Sequence, residues 1–199
     1  MVRTAQNKMI QSLIRLVAVL GIAATLPAQA SNTNPDPELR DMLKETVADS
    51  SSFHDRFDAE VWLVDMSTRV SRWLDSDRER LKILRLVHQE AMRHELDPEL
   101  VLAVIHVESM FDRFAISSVG AQGLMQVMPF WKNEIGRPED NLTRIETNLQ
   151  YGTTILRYYI DKEDGNLTRA LARYNGSLGQ TWYPERVFSA LERYYRVNH

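Results

Sequence analysis

The stretch over residues 100–107 constrains the fold of this chain most strongly, because His106 is its only polar residue. Asp97 and Pro98 stand shortly before it, and this pair is typical of a helix N-cap followed by a first helical turn. A helix that is apolar on nearly every side belongs in the interior of a protein. The sequence therefore predicts a buried central helix, which the other elements of the chain must surround.

Apolar residues recur at helical spacing through most of the remaining chain. Ser76 and Glu79 have the spacing of a capping box and predict the start of one helix, and residues 57–74 are predicted to form another. No segment shows sustained alternation of apolar and polar residues, the pattern of a half-buried strand. We therefore predict an all-α fold, with further helical faces marked by Leu81, Leu84, Val87 and Ala91, by Leu149, Gly152, Leu156, Tyr159 and Ile160, by Leu167, Ala170, Leu171 and Tyr174, and by Val187, Ala190, Leu191 and Tyr194.

The first thirty residues have the order of a secretory signal: a basic region, an apolar region and small residues for cleavage. The apolar region covers residues 16–26, whereas a membrane-spanning helix needs about 20 residues, so an uncleaved anchor is the weaker alternative. We predict a signal peptide over residues 1–30, a linker and helical N-terminal extension over residues 31–78, and one further domain over residues 79–199.

Composition narrows the range of functions. Without the predicted signal the chain carries 21 Lys and Arg against 27 Asp and Glu, a formal charge of −6. This balance disfavours nucleic acid, whose phosphates are bound by basic residues. The chain has no cysteine, so its core must stabilise it without disulfides, and none is available for lipidation after the signal. We expect an exported and freely soluble protein without stable membrane insertion.

Glu108 stands at the C-terminal end of the predicted central helix. The helix dipole favours cations at that end, and burial disfavours the charged form of a carboxyl group, so both effects raise its pKa. A carboxylic acid that keeps its proton near neutral pH can act as a general acid. The alternative is that Glu108 ends the helix at the surface and is solvated.

The segment after Glu108 is poor in bulky side chains. Gly120 and Gly123 allow another chain segment or a ligand to approach closely. Ser117 and Gln126 supply neutral hydrogen-bonding groups, which suit a polyol bound in an otherwise apolar pocket. A tight turn without any ligand explains the glycines equally well.

Two motifs resemble the signature of the lytic transglycosylases, lysozyme-like enzymes that cleave bacterial peptidoglycan. The first is ESMFDRFAISSVGAQGLMQVMP at residues 108–129, and the second is ALARYNGSLG at residues 170–179. Asn148 and Gly152 fit the helix that connects the two motifs in this family. The presence of both motifs in the right order makes the resemblance specific, and it extends over roughly residues 79–195.

The resemblance implies a lysozyme-like helical domain that cleaves the β-1,4 bond between N-acetylmuramic acid and N-acetylglucosamine and leaves 1,6-anhydro-N-acetylmuramic acid ends. Glu108 would be its single general acid and base. Peptidoglycan glycan strands would be the binding partner, and no metal or cofactor is needed. The resemblance assigns substrate binding to Ser117, Gln126, Met128 and Tyr174, the last with its hydroxyl pointing toward the catalytic acid.

The chain departs from the family pattern after the first motif, where Phe130 and Trp131 stand in place of small residues and a threonine. No role is assigned to Glu185, the nearest counterpart of a downstream glutamate found in some members. Trp131, Trp182 and Tyr183 are candidates for stacking on sugar rings or for packing. Two alternatives stay open: a goose-type lysozyme that hydrolyses the bond with a second carboxylate, and a module that binds glycan without cutting it.

Overall fold

The structure, a computed structural model, describes residues 37–48, 51–53 and 55–196, with side chains from residue 41 onward. The predicted signal peptide lies outside these residues, as does most of the predicted linker. Within the described residues the chain forms eight α-helices and a final π-helical turn: α1 (Pro37–Ala48), α2 (Arg56–Val70), α3 (Asp77–Arg93), α4 (Pro98–Ser109), α5 (Trp131–Ile135), α6 (Ile145–Lys162), α7 (Leu167–Asn175), α8 (Trp182–Ala190) and the π turn Leu191–Tyr195.

Helix α4 is the buried central helix that the sequence predicts. Every residue over 100–105 is buried, and α3, α8 and the π turn pack against this helix. The Asp97 carboxylate accepts hydrogen bonds from the backbone N–H groups of Glu99 at 2.8 Å and of Leu100 at 3.3 Å. The side chain of Asp97 thus supplies partners for the exposed donors at the start of the helix.

The helices before α4 also agree with their sequence signals. Ser76 caps α3, since its hydroxyl oxygen accepts a hydrogen bond from the backbone N–H of Glu79 at 3.3 Å. The helix predicted over residues 57–74 is α2, which ends four residues earlier than predicted. Helices α1 and α2 pack against each other and against α3, and Leu43 and Val47 of α1 belong to the common core.

The last three helices lie next to one another in chain order. Helix α6 packs against α3 and α7, α7 packs against α8, and α8 packs against α4. The side chain of Asn166 caps α7 by accepting from the backbone N–H of Arg169 at 3.1 Å. Gly176 ends α7 with φ +79°, a left-handed conformation that glycine adopts without steric cost. This succession of contacts connects the second sequence motif, on α7, to the helix that carries Glu108.

The all-α prediction is confirmed for the described residues, which contain no β-strand. The β-type pairing found there is limited to two isolated bridges, Ile116 with Gln122 and Gln122 with Val127. Both lie in the glycine-containing segment that follows α4. In this part of the chain no helix is both long and apolar enough to cross a membrane.

Candidate active site

Glu108 lies on the buried face of α4, in the last turn of the helix. It follows Val101, Val104 and Ile105 at the spacing that places residues on one face of a helix. All three of those side chains are fully buried. Helix periodicity therefore directs the Glu108 side chain along the interior face.

The backbone turns sharply directly after α4. Met110 and Phe111 have φ angles of +50° and +67°, a left-handed conformation that costs a residue with a side chain about 1 kcal/mol. The Phe111 side chain is 1% exposed and stacks on Trp73 with ring centroids 6.0 Å apart. The burial of Phe111 offsets this cost, and the turn ends the helix immediately after the glutamate.

Tyr183 holds the carboxyl group of Glu108. Its hydroxyl donates a hydrogen bond to Glu108 Oε1 at 2.7 Å, and Tyr183 itself is buried in the first turn of α8. Burial raises the pKa of Glu108 to about 7, while the hydrogen bond from Tyr183 acts in the opposite direction. A solvated helix end would not produce this shift. Near neutral pH the carboxyl group therefore populates both protonation states, as a group that donates and then accepts a proton requires.

Tyr174 lies near the same carboxyl group but makes its hydrogen bond elsewhere. Its hydroxyl donates to the backbone carbonyl of Met125 at 2.7 Å. Burial is the main cause that raises the pKa of Tyr174, and the charge of Glu108 is the next, so the two side chains are close in space. The hydrogen bond to the acid comes from Tyr183, whereas Tyr174 ties the loop after α4 to α7, and the predicted role of Tyr174 in substrate binding stays a prediction.

The segment after α4 folds into a tight, hydrogen-bonded loop. The backbone N–H of Ser117 donates to the carbonyl of Ala121 at 2.9 Å, and the N–H of Ala121 donates to the Ser117 hydroxyl at 3.0 Å. The N–H of Gly123 donates to the carbonyl of Ala115 at 2.9 Å. Gly120 and Gly123 both have left-handed φ angles, +87° and +75°. The glycines therefore serve a tight turn, whether or not a ligand also approaches there.

Asn148 anchors this loop from α6. Its Oδ1 accepts from the backbone N–H of Met125 at 2.7 Å, and its Nδ2 donates to the carbonyls of Gln122 at 2.8 Å and Leu142 at 2.7 Å. A Cβ atom on Gly123 would lie 2.4 Å from Asn148 Nδ2. Because that approach is shorter than van der Waals contact, only glycine fits against the anchoring side chain.

Gly152 gives Met125 its place against α6. A Cβ atom at position 152 would lie 2.3 Å from Sδ and 2.7 Å from Cβ of Met125. Met125 is fully buried, and its carbonyl accepts the hydrogen bond from Tyr174. A larger residue at position 152 would therefore displace the loop next to Glu108.

Two side chains of the loop keep polar groups available for a ligand. Gln126 Nε2 donates to the carbonyls of Ala115 at 3.1 Å and Gly123 at 3.0 Å. These bonds fix the orientation of the amide and leave Oε1 without a partner among the described residues. The Ser117 hydroxyl oxygen accepts from Ala121, and its proton has no acceptor within the same residues. The loop thus offers one donor and one acceptor at two of the positions predicted from sequence.

Within the described residues, the other side chains singled out from sequence make no hydrogen bond to Glu108. Met128 is partly buried just beyond the loop, and Trp131 begins α5 and contacts a tyrosine of α6 edge to face. Trp182 and Glu185 line a cavity of about 680 Å³ beside the end of α4, and Glu108 is not part of its lining. The remaining residues around this cavity are His106, Val107, Met110, Arg186, Ser189, Ala190, Arg193 and Tyr194.

Sequence reasoning does not find the roles of Tyr183 and Asn148. It leaves Tyr183 open between sugar stacking and packing; the ring is buried, and the hydroxyl donates to Glu108, a role that neither alternative includes. A signal existed, because Tyr183, Val187 and Ala190 share one helix face and a buried tyrosine usually finds a hydrogen-bond partner. For Asn148 the sequence alone gave only its place on the helix that connects the two motifs. Its hydrogen-bond partners could not be predicted, since they are backbone groups that are distant in the chain.

These features define a class of protein: an all-helical domain with one buried carboxyl group at the end of its central helix, next to two tyrosines and an anchored loop. The family profile described as Transglycosylase SLT domain matches residues 85–195, more than half of the chain. The chain belongs to this family, as its two motifs indicated.

Individual relatives agree with this assignment. The chain is 31% identical over 130 residues to membrane-bound lytic murein transglycosylase C of Photorhabdus laumondii, covering 57% of this chain and 36% of the relative. It is 35% identical over 102 residues to the transglycosylase of Enterobacteria phage PRD1, covering 48% and 37%. The chain thus spans little more than a third of the length of these curated relatives.

A solved structure of an inactive mutant of the lytic transglycosylase Slt from Pseudomonas aeruginosa also matches. The TM-score is 0.44 and the sequence identity 20%, over 72% of this chain and 30% of the other chain.

Proposed function

We propose that this protein is a lytic transglycosylase that cleaves the β-1,4 bond between N-acetylmuramic acid and N-acetylglucosamine in peptidoglycan. Glu108 acts as its only general acid and base. The observation that carries this proposal is the buried carboxyl group of Glu108, which has a pKa of about 7 and accepts a hydrogen bond from Tyr183. Family membership and the names of the relatives support the substrate class.

In the first step, protonated Glu108 donates its proton to the glycosidic oxygen while the bond from that oxygen to C1 of the muramic acid breaks. The N-acetyl group of the same sugar stabilises the positive charge that develops at C1. The Ser117 hydroxyl can donate a hydrogen bond to the carbonyl oxygen of the N-acetyl group. Gln126 Oε1 can accept a hydrogen bond from a sugar hydroxyl or amide. Met128 and Tyr174 complete the wall of the glycan site, Tyr174 through its bond to the loop.

In the second step, ionised Glu108 takes the proton from the 6-hydroxyl of the muramic acid, and the hydroxyl oxygen attacks C1 to close the 1,6-anhydro ring. Glu108 is thereby returned to its protonated form. The attacking hydroxyl competes well with water because it belongs to the same sugar and has a very high effective concentration. The Tyr183 hydroxyl stabilises the ionised form of Glu108 between the two steps.

The presence of a single carboxyl group favours this route over hydrolysis. Ordinary glycosidases use two carboxyl groups that flank the scissile bond. Burial and the Tyr183 hydrogen bond account for the pKa of Glu108, and no other carboxylate of the described residues contributes to it. Glu185 is exposed and lines the neighbouring cavity, so it does not form an acid pair with Glu108.

Mass spectrometry of digested peptidoglycan tests the proposal. Purified protein should release fragments with anhydro ends, each one water lighter than a hydrolysed end, and Glu108→Gln should release none while still binding the sacculus. Glu60→Gln, an exposed acid on α2, is the matched control and should cut normally. Hydrolysed ends would instead indicate a goose-type lysozyme, and binding without cutting by the unaltered protein would indicate a glycan-binding module. Cleavage by Glu108→Gln would remove Glu108 from the reaction.

We also propose that residues 79–199 form the catalytic domain, that residues 31–78 form a linker and extension, and that residues 1–30 direct export to the periplasm. The substrate class supports this location, because peptidoglycan lies in the cell envelope. Deletion of residues 1–30 should retain the protein in the cytoplasmic fraction, whereas the full chain should appear in the periplasmic fraction. Equal distribution of the two forms would contradict the proposed export.

A further inference from the structure

A groove lies near the N-terminal end of α4, the end away from Glu108, where the N-terminal extension meets α3. Its volume is about 390 Å³, within the usual range of ligand sites. Glu99, near the start of α4, lies nine residues before Glu108, which corresponds to about 14 Å along a helix. The groove is therefore separate from the proposed active site. Its lining consists of Ser52, Phe53, Phe57, Asp58, Val61, Trp62, Asp65, His88, Met92 and Glu99.

Aromatic rings form one wall of the groove. Phe53 and the imidazole of His88 are stacked, with ring centroids 3.4 Å apart, and Trp62 meets His88 edge to face at 5.2 Å. Burial lowers the pKa of His88 to about 4, so this imidazole is neutral at physiological pH. Its Nδ1 is hydrogen-bonded to the Ser52 hydroxyl at 2.8 Å. The wall thus contains Phe53 and Trp62, two ring types that attract cations, and its imidazole adds no positive charge.

The rim of the groove is apolar although it faces solvent. Phe57 is 73% exposed, Val61 53% and Met92 45%. Clustered apolar side chains at a concave surface are typical of a binding site, whereas single exposed ones need no explanation. This rim would cover the apolar stem of a bound side chain and the apolar residues that flank it.

The charged groups of the lining are all acidic. Asp65 is paired with Arg69 at 2.9 Å, but Asp58 and Glu99 have no salt bridge within the described residues. Glu99 Oε1 accepts the indole N–H of Trp62 at 2.8 Å, which fixes the carboxyl group beside the aromatic wall. Among the described residues, no lysine or arginine belongs to the lining. Electrostatic complementarity therefore selects a cation and rejects an anion.

We propose that this groove binds a lysine or arginine side chain presented on an apolar segment of a partner protein. The carboxyl groups of Glu99 and Asp58 bind the charged head of the side chain, and Trp62 and Phe53 contact its stem and its cation. The exposed rim packs on the apolar neighbours of that residue. The groove has room for about two large side chains, which matches one basic residue and one apolar neighbour.

Titration with short peptides tests this proposal on the purified protein. The probe is an acetylated and amidated peptide of sequence LKFKL, and the matched controls are LQFQL and LEFEL. The readout is the NMR signal of the Trp62 indole N–H, assigned from its loss in Trp62→Phe. LKFKL should shift this signal to saturation, with a dissociation constant at least about tenfold below that of LEFEL and clearly below that of LQFQL.

Two conservative variants locate the binding. At pH 8, above the pKa of about 7 of Glu99, Glu99→Gln and Asp58→Asn should each weaken LKFKL binding at least about threefold, because each removes a carboxylate that the cation contacts. Glu60→Gln removes the same charge from the same extension outside the groove and should leave the affinity unchanged. Equal binding of the three peptides, absence of any shift at millimolar LKFKL, or equal weakening by Glu60→Gln would overturn the proposal. A shift caused by a trimer of N-acetylglucosamine but not by LKFKL would also overturn it, in favour of a sugar.

Discussion

Helix α4 carries a glutamate near each end, Glu99 in its first turn and Glu108 in its last, and the pKa of each is raised to about 7, chiefly by burial. Each carboxyl group also accepts one hydrogen bond from an aromatic side chain. The Trp62 indole donates to Glu99 at 2.8 Å and the Tyr183 hydroxyl to Glu108 at 2.7 Å. A raised pKa and an aromatic hydrogen-bond donor are therefore common to both groups. They do not explain why we propose a catalytic role for Glu108 and none for Glu99.

The surroundings of the two carboxyl groups make the distinction. A helix N-terminus favours an ionised Glu99, whereas a helix C-terminus disfavours an ionised Glu108. A hydrogen bond to Asp97 helps to raise the pKa of Glu99. The loop that follows Glu108 carries the Ser117 hydroxyl proton and Gln126 Oε1, neither of which has a hydrogen-bond partner among the described residues. We therefore base the proposed chemistry at the C-terminal end of α4 on the neighbouring hydrogen-bonding groups and not on the pKa alone.

Removal of each carboxyl group in turn is the strongest test of this comparison. Glu108→Gln should lower the rate of peptidoglycan cleavage by about 10³-fold, because the general acid is lost. Glu99→Gln should lower it by less than about threefold. The rates are measured as anhydro ends released from purified sacculi. Comparable losses in the two variants would refute the functional difference between the two ends of the helix.

The second prediction concerns the anchor that only the Glu108 end possesses. Asn148→Ala leaves the Met125 N–H and the carbonyls of Gln122 and Leu142 without their partner, which should lower the free energy of unfolding by about 3 kcal/mol. Urea denaturation measures this change. Cleavage should fall as well, since the loop beside Glu108 loses its support.

Two controls accompany the Asn148 variant. Asn133→Ala removes an exposed side chain of α5 and should change stability by less than about 0.5 kcal/mol. The indole N–H signal of Trp62 should not move in Asn148→Ala, because the groove at Glu99 does not contact the loop. A loss of stability equal to that of Asn133→Ala would show that the loop does not depend on this anchor.

The parts of this molecule that depend on local sequence could be predicted. The caps at Ser76 and Asp97 and the apolar stretch of α4 are read from neighbouring residues, and the structure confirms them. The position of Glu108 on the buried face follows from helix periodicity. The sequence alone was therefore enough to predict that Glu108 lies at the end of the buried helix, whereas its role as the acid stays a prediction.

The parts that depend on distant contacts could not be predicted. Tyr183, which donates the hydrogen bond to Glu108, is 75 residues away from it in the chain. The Tyr174 hydroxyl donates to the carbonyl of Met125 and not to the carboxyl group of Glu108. Both hydrogen bonds depend on how α7 and α8 pack, which apolar spacing does not specify. The shift at Glu99 was missed for the same reason: a glutamate in a first helical turn reads as an ordinary helix start, and Trp62 and His88 bury it only in the fold.

The two glutamates of α4 should also differ in how they make the free energy of unfolding depend on pH. The folded-state pKa of Glu108 is about 7 and its ordinary value is 4.5, so between these values the folded protein holds a proton that the unfolded chain releases. The contribution of Glu108 to stability is therefore fully present below pH 4.5 and is lost as the pH rises to 7. Glu108→Gln should match the unaltered protein at pH 4 and exceed its free energy of unfolding by about 3 kcal/mol at pH 8.

Urea denaturation at the two pH values measures that difference, with Glu60→Gln as the charge-matched control. Glu99→Gln should show the same sign with a smaller gain, because its carboxyl group is more accessible to solvent, which screens its interactions. The free energy of unfolding at pH 8 could instead increase in Glu99→Gln and stay unchanged in Glu108→Gln. That result would contradict the conclusion that Glu108 is the more buried of the two carboxyl groups.

The smallest expected effect concerns the hydrogen bond that holds the catalytic carboxyl group. Because Tyr183 lowers the pKa of Glu108, Tyr183→Phe should raise it by about half a unit to one unit. The proposed mechanism needs protonated Glu108, so the rate of cleavage should decline as the pH rises through about 7 in the unaltered protein and at a correspondingly higher pH in the variant. The plateau rate should also fall several-fold, since the carboxyl group is less well oriented.

The rate of cleavage as a function of pH separates this role from simple packing. Tyr158→Phe, which removes the hydroxyl of an exposed tyrosine on α6, should leave the midpoint of the decline unchanged. A purely structural role for Tyr183 would lower the rate at every pH without moving the midpoint. A midpoint that moves to lower pH would mean that Tyr183 favours the protonated carboxyl group, which is opposite to the direction that its hydrogen bond to Oε1 requires.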